Sequence, residues 1–593
     1  MRGRVAYGTR MADPTNAQIA AALDELGDLY ELDGAVSYRV IAYRNAAKAV
    51  RESSVSIIAM TREGRVTTVP GIGKTLEEKL RALDDTGDIP ALVKLRGKFP
   101  PGLIEVMHLP GFGPKRARKL FDELGVDSLD ALRAAVEAGK IKELRGFGLK
   151  AETQLKQTLV EYDATGGPAP RVVLSRAEAI AGEVLAALRT HPASDRVEAA
   201  GSLRRRADSV KDLDIIATAS DPKALARTLG ELELVESVQS SGDAGARVIT
   251  HTGMKIDLKV VEPDQFGNVL QHFTGSKAHN VALRENAVRR GLHISEYGIL
   301  DDETGETTRC ASEESVYERL GLPWIPPELR EGRGELEAAR EQALPELVTL
   351  DDLKGDLHMH TTASDGLQTA EEMARAARDR GLQYIAITDH SASHGFGNDV
   401  SPAELERRID EIHALNERLE GIEVLIGTES NILTDGSLDY PDELLERLDW
   451  VIASVHTSFR MRSKEMTDRM VAAIEHPLVD AIGHPTGRKI ERRPPYALDL
   501  ERVIEAAART GTMLEINAAP DRRDLDEIHA REAARAGVPI LIDSDAHSTT
   551  NLRLLSYGVD TARRAWLTRE QVANARPWVE FRKLRKRARS RAN

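Results

Sequence analysis

The chain has 593 residues, of which 41% are hydrophobic and 30% charged, and its net charge is −14. That length exceeds what one hydrophobic core can serve and implies about four domains of ordinary soluble composition. No apolar run approaches the roughly 18 residues that cross a bilayer, the N-terminus has no signal-peptide core, and a lone Cys310 excludes an intramolecular disulfide, so a soluble protein is expected, in agreement with a reducing cytoplasm; a monomer is the expected state, though none of these features sets it.

Residues 1–10 show no periodicity and read as an extension. From there to residue 165 a weak repeat recurs: Val69-Pro-Gly-Ile-Gly-Lys74, Leu109-Pro-Gly-Phe-Gly-Pro114 and Leu144-Arg-Gly-Phe-Gly-Leu149, each leading into a helical segment. Two glycines around an apolar residue permit a tight turn that aims backbone N–H groups at the start of a helix, where an anion is favoured. Glycines that merely cap helices are the plainer reading, weakened by three copies that each feed a Lys-bearing helix. The repeat resembles helix-hairpin-helix motifs, which grip DNA phosphates without reading sequence. That resemblance assigns DNA contacts to Gly71, Gly73, Gly111, Gly113, Gly146 and Gly148. It divides the region into a lyase-like helical domain, 11–95, and a fingers domain, 96–165. Lys79 matches the Schiff-base lysine of the DNA polymerase beta lyase domain, whereas on its own it reads as a solvated helix lysine.

Net negative charge alone argues against a nucleic-acid partner, because phosphate binding is driven by Lys and Arg releasing counterions. The charge is uneven, however. Residues 61–165 hold 18 Lys plus Arg against 16 Asp plus Glu.

Gly166-Gly-Pro-Ala-Pro170 breaks the helical pattern and marks a domain boundary. Further on, Gly201-Ser202-Leu-Arg-Arg205 is followed, ten residues after the serine, by Asp212-Leu-Asp214-Ile-Ile216. On a strand the i and i+2 side chains share a face, so both carboxylates point one way while Leu213 and Ile215 enter a core. The run Met254-Lys-Ile-Asp257-Leu-Lys-Val-Val261 offers Asp257 by the same alternation. Three carboxylates on adjoining strands can hold two Mg ions. An Asp-x-Asp pair alone is weak, since exposed strands often alternate acidic residues. With the upstream Gly-Ser and the later Asp, it resembles the nucleotidyltransferase palm of family X DNA polymerases. The resemblance implies that Asp212, Asp214 and Asp257 are catalytic metal ligands and that Gly201, Ser202 and Arg205 contact the triphosphate. Phe273, Gly275, Asn280 and Arg284 match that family's thumb contacts to the incoming nucleotide. His272 stands where the animal enzymes carry Tyr, and Lys211 where Gly is usual. The palm then spans 171–261, the thumb 262–335 and a linker 336–350.

Seven short apolar runs in the last 240 residues end in His, Asp, Glu or Asn. Examples are Tyr384-Ile-Ala-Ile-Thr-Asp-His390, Trp450-Val-Ile-Ala-Ser-Val-His456 and Met513-Leu-Glu-Ile-Asn517. Runs of Val, Ile and Leu suit strands buried on both faces, and helical periodicity fills the gaps between them. This is a β/α barrel pattern, in which strand ends converge on one rim. Ten of the 16 histidines fall in this region, and most close a strand. Imidazole with carboxylate suits Zn, Mn or Fe. The pattern resembles the polymerase and histidinol phosphatase (PHP) domain, placed at 351–575 with a basic tail at 576–593. The resemblance implies three metals on His358, His360, Asp365, His390, Glu429, His456, His484, Asp545 and His547. One is held by His358, His360, Glu429 and Asp545, a second by Glu429, His456 and His484, and a third by Asp365, His390 and His547.

The order of hairpins, palm and PHP domain resembles the bacterial family X DNA polymerases. The fold expected is therefore multidomain α/β: a helical helix-hairpin-helix region, an α+β palm and thumb, and a seven-stranded (β/α) PHP barrel. The function implied is gap-filling DNA-directed DNA synthesis in repair, with Mg, gapped or primed DNA and deoxynucleoside triphosphates. The PHP domain adds a Mn- or Zn-dependent 3'-5' exonuclease that extends to abasic sites. The alternative is a PHP phosphoesterase acting on DNA ends or small phosphate monoesters, with a polymerase region that only binds DNA.

Overall fold

The computed structural model describes residues 14–35, 37–53, 55–109, 113–144, 147–148, 152–153, 155–156, 159, 171–393 and 399–586. The chain forms two compact units. One comprises 1–170, 180–198 and 211–261; the other comprises 171–179, 199–210 and 262–593.

The first unit begins as a helical bundle. Helix α1 (Asn16–Leu32) starts at a Thr15–Gln18 capping box and buries Ile19, Leu23 and Leu26, a spacing that keeps them on one face. It packs on α2 (Ser37–Glu52). Gly71 has φ +90°, and Gly73 caps α3 (Lys74–Thr86), while Ile72 between them is 3% exposed. The hairpin thus presents backbone at its tip and anchors itself by one apolar side chain. Gly113 caps α4 (Pro114–Leu124) in the same way, with Pro114 at the first helical position where its missing N–H costs nothing. Gly148 is again left-handed, at φ +67°. Gly111, Gly146 and the breaker cluster 166–170 lie outside the described residues.

The palm portion of this unit is a five-stranded sheet. Its order is β1 (Ser194–Ala199), β2 (Asp212–Ala219), β5 (Lys255–Val260), β4 (Gly245–Thr250) and β3 (Val235–Gly242). Strands β2 and β5 are parallel and place Asp214 directly opposite Asp257. Leu213, Ile215, Ile256 and Leu258 are buried, so the alternation expected from sequence holds on both strands.

The second unit holds the short helix α5 (Gly201–Arg204), the thumb helices α6 (Phe266–Thr274) and α7 (Lys277–Val288), and the barrel. Seven parallel strands follow in chain order: β6 (Gly355–Asp356), β7 (Tyr384–Ile387), β8 (Glu423–Asn431), β9 (Trp450–Ser454), β10 (Ala481–Ile482), β11 (Met513–Asn517) and β12 (Ile540–Asp543). A parallel bridge between Met359 and Ala546 nearly closes the ring. Ala386, Leu425, Trp450, Ile452 and Leu541 fill one core; Ile385, Val424, Val451, Ile516 and Ile542 belong to the other. Burial on both faces is why these strands read as continuous apolar runs.

Two segments expected to lie between or beyond the domains are packed against them. The stretch 336–350 is no free linker: it carries the helix Glu335–Arg340 and buries Leu336, Ala339 and Val348. The basic tail is folded as far as Lys586. Phe581 is fully buried, stacks on Tyr384 with ring centroids 4.8 Å apart and lies 5.8 Å from Trp450. Lys586 then donates through Nζ to the carbonyls of Ile474 and His476. Aromatic anchors and the charged groups of Arg585 and Lys586 together hold this segment.

Candidate active sites

All nine barrel residues singled out by sequence converge at the C-terminal ends of the strands. His360, Asp365, His390 and His547 form one set of possible ligands; His358, His360 and Asp545 form another. His358, Glu429 and His484 form a third, and His390, Glu429 and His456 a fourth. Glu429 is shared, as expected of a bridging carboxylate. His360 joins Asp365, His390 and His547 in this arrangement, so the sets overlap more than the three-metal partition implies.

The distances are those of groups that face one another. Glu429 Oε1 lies 2.9 Å from His484 Nε2, 3.1 Å from His456 Nε2 and 3.4 Å from His358 Nε2. His360 Nε2 is 3.2 Å from Asp545 Oδ1, and His547 Nε2 is 3.3 Å from Asp365 Oδ2. His484 and Asp545 adopt positive φ, +29° and +52°, a backbone strain that recurs at functional sites. Gly483 has to lack a side chain, because a Cβ there would come 2.5 Å from Ser454 Oγ and 3.3 Å from His358 Cε1.

Electrostatics follow from who faces whom. Burial alone would lower His358, but Glu515, Glu429 and Asp545 outweigh it and raise it well above the ordinary imidazole value. His360 is driven down to about 4 by burial and by His390 and His547, whose rings each lie 4.3 Å from its own. Burial and Arg522 push His484 down to about 3. Burial opposes ionisation of Glu429 and Asp545, yet the imidazoles around them hold both well below the usual carboxylate range.

A second layer of contacts orients these groups. His358 Nδ1 is 2.7 Å from Glu515 Oε1, which leaves Nε2 turned toward Glu429 and Asp545. Asn517 donates to Asp545 Oδ2 at 3.0 Å. Asp389 accepts from Thr361 N and from Ser364 Oγ, fixing the loop that carries Asp365. His358 Nε2, His360 Nδ1 and His484 Nδ1 are buried without a hydrogen-bond partner among the described residues. Buried imidazoles with nitrogens that make no hydrogen bond among the described residues, in rings gathered around carboxylates, fit divalent cations of the Zn or Mn type.

Sequence reasoning missed Glu515 and Arg522. Glu515 shares a strand face with Asn517, so the alternation in Met513-Leu-Glu-Ile-Asn517 carried a signal. Arg522, whose Nε lies 3.7 Å from Asp545 Oδ2, sits in an irregular loop and left none.

In the first unit Asp212, Asp214 and Asp257 are half-buried on one face of β2 and β5. Arg247, opposite Asp257 on β4, donates to its Oδ2 at 3.0 Å. Lys79 is half-buried on α3, one residue before the fully buried Leu80. In the second unit Gly201 has φ +62° and opens α5, and Ser202 is half-buried. Arg205 is engaged by the thumb: its Nη1 donates to the Thr274 carbonyl at 2.6 Å and its Nε to Glu331 at 3.0 Å. Gly275 has φ +68°, and a Cβ there would approach Arg205 Nη1 to 3.2 Å. Asn280 bridges the His272 carbonyl and Gln271, and the His272 and Phe273 rings lie 5.3 Å apart. Arg284 is exposed.

Four family models match the chain. They are a helix-hairpin-helix domain at residues 14–89, a SAM-like helix-hairpin-helix tandem at 103–161, a DNA polymerase beta thumb at 269–331 and a PHP domain at 356–519. Over 560 residues the chain is 39% identical to the DNA polymerase/3'-5' exonuclease PolX of Bacillus subtilis, spanning 94% of this chain and 97% of that protein. The chain belongs to the PolX family. A probable phosphatase of Caldanaerobacter subterraneus subsp. tengcongensis is 37% identical over 203 residues, 32% of this chain and 75% of its own length. A probable phosphatase of a Thermoanaerobacter species is 34% identical over 237 residues, 37% of this chain and 89% of its own. The PHP match stops at residue 519, yet Asp545 and His547 complete the ligand sets described above. No helix among the described residues is long and apolar enough to cross a membrane.

Proposed function

We propose that this chain is a DNA-directed DNA polymerase that fills short gaps during repair and a 3'-5' exonuclease whose chemistry resides in the PHP barrel. Identity of 39% over 94% of the chain to a protein named for both activities carries the reading, together with two separate carboxylate-bearing sites of different make-up. The substrates are gapped or primed DNA and deoxynucleoside triphosphates, the working form is a cytoplasmic monomer, and the glycine motifs at Gly71, Gly111 and Gly146 hold the DNA backbone.

In the palm, Asp212 and Asp214 would hold two Mg ions and Asp257 one of them, while Asp257 assists removal of the proton from the primer 3' hydroxyl. Ser202 and its turn would hold the triphosphate, and the thumb groups Phe273, Gly275, Asn280 and Arg284 would bound the nucleotide. Positioning and charge neutralisation supply most of the rate in such a transfer. In the barrel the nine ligands would hold Mn or Zn, three ions in all. When bound, such ions clamp the scissile phosphate, steady the leaving oxygen and make an attacking water more acidic. The chain's own part is orientation: Glu515 fixes the His358 ring, Asn517 fixes Asp545, and Arg522 offers a guanidinium beside the cage for a phosphate oxygen. Lys79 would serve a lyase step at abasic sites.

Purified chain on a gapped duplex, with and without Mn, tests the reading. In the Asp212→Ala, Asp214→Ala double variant, extension falls by about a thousandfold or more while exonuclease persists. Equal loss of both activities refutes separate sites. Faster hydrolysis of histidinol phosphate than of primer ends would make the barrel a small-molecule phosphatase instead.

A further inference from the structure

Residues 199–210 carry the Gly201-Ser202 turn, and side chains from the PHP barrel hold this segment. Arg206 is left-handed, at φ +58°, a costly conformation for a long side chain. Its Nε and Nη2 meet Asp560 Oδ2 at 2.8 and 2.6 Å, on helix α8 (Leu555–Arg564) of the barrel, and its Nη1 pairs with Glu178. The carbonyls of Arg205 and Arg206 are each capped by a buried guanidinium. Arg564 Nη1 donates to the first at 2.8 Å and Arg523 Nη1 to the second at 3.0 Å. Arg523 has no exposed surface and also lies 3.2 Å from Asp208 Oδ1. These contacts reach the serine directly, because Ala207 N donates to the Ser202 carbonyl at 3.0 Å and closes the turn.

The loop that supplies Arg523 also faces the metal cage. Its neighbour Arg522 approaches Asp545. Asp524 accepts at its carbonyl from the Asn517 N–H at 2.6 Å, and the Asn517 amide donates to Asp545. One short loop therefore touches the exonuclease ligands on one side and the serine turn on the other.

We infer that Arg523 and Asp560 are positioning residues for nucleotidyl transfer: the PHP barrel sets the geometry of the Ser202 turn by gripping Arg206. The inference rests on the proposed reading that this turn binds the triphosphate. A turn held only by its own short helix would leave Ser202 to drift, whereas two capped carbonyls and a paired side chain fix its direction.

Steady-state gap filling by the full chain tests this, with thermal melting of every variant. Ser202→Ala tests the underlying reading and raises the KM for the nucleotide. Asp560→Asn, which touches no nucleotide in that reading, raises the same KM about tenfold, more than it lowers kcat. Arg206→Ala does the same, and Arg206→Lys, which keeps one contact to Asp560, recovers part of the loss. If Asp560→Asn melts early, Arg523→Lys carries the test with charge retained beside Asp208. A raised KM in Ser202→Ala with an unchanged KM in the Asp560, Arg206 and Arg523 variants overturns the inference alone. An unchanged KM in Ser202→Ala overturns the reading beneath it.

Discussion

The barrel's candidate metal cage and the palm's three carboxylates satisfy their charges by opposite means. In the barrel, Glu429 is 1% exposed and faces imidazoles on His358, His390, His456 and His484. In the palm, Asp257 keeps 27% of its side-chain exposure and pairs with Arg247, itself 63% exposed. A buried oxygen has to find protein partners, so the barrel folds its ligands against one another. A half-exposed carboxylate is satisfied by solvent and an exposed partner and needs no buried one. The cage is thus part of the fold, whereas the palm carboxylates stay open to solvent, as the proposed binding of Mg requires.

Substitution separates these roles, and stability shows the largest effect. Glu429→Gln keeps the shape and removes the anion that four histidines face. The metal-free variant should lose roughly 3 kcal/mol, because breaking a buried charge pair leaves its partners uncompensated. Asp214→Asn abolishes extension yet should change stability by less than about 0.5 kcal/mol, as expected for a half-exposed position relieved of like-charge neighbours. Urea unfolding of both variants decides the matter. Similar losses would erase the distinction drawn here.

The pH dependence sharpens it further. Burial lowers His390, but Glu429 and Asp365 outweigh that and raise it to about 10. A raised histidine contributes stability that is fully present below its unfolded value, about 6.5, and is lost as pH rises through its folded value. The melting temperature of metal-free protein should therefore fall between pH 6.5 and 10. Saturating Mn should flatten that slope, since ligation displaces the same protons. A flat profile without metal would show that the imidazoles are neutral and the cage is not internally paired.

Much of this organisation was legible because barrel strands are buried on both faces, so Tyr384–Ile387 and Trp450–Ser454 read as unbroken apolar runs with a ligand at the end of each. Strand alternation likewise put Asp212, Asp214 and Asp257 on one face. What stayed hidden depends on partners remote in sequence. Arg206 meets Asp560 across 354 residues, so nothing local reveals that the serine turn belongs with the barrel. Arg522 lies in an irregular loop without a period. The tail reads from its composition only as basic, and the aromatic docking of Trp578 and Phe581 shows in their contacts alone. Glu515 was visible within its strand, but only its contact with His358 tells an orienting carboxylate from a ligand.

The smallest effect expected lies in the palm. If Asp257 holds Mg as proposed, Arg247 and the cation would compete for the same carboxylate, and the exposed pair is worth only a fraction of a kcal/mol, about 0.5. Removing that competitor in Arg247→Ala should lower the Mg concentration at half-maximal extension by about twofold, the factor such an energy corresponds to. Exonuclease in the same preparation should keep its Mn dependence, because its ligands are paired by buried groups that Arg247 does not touch. A rise in the Mg requirement would instead assign Arg247 to holding Asp257 in its metal-binding orientation. The palm would then resemble the barrel in depending on an internal partner.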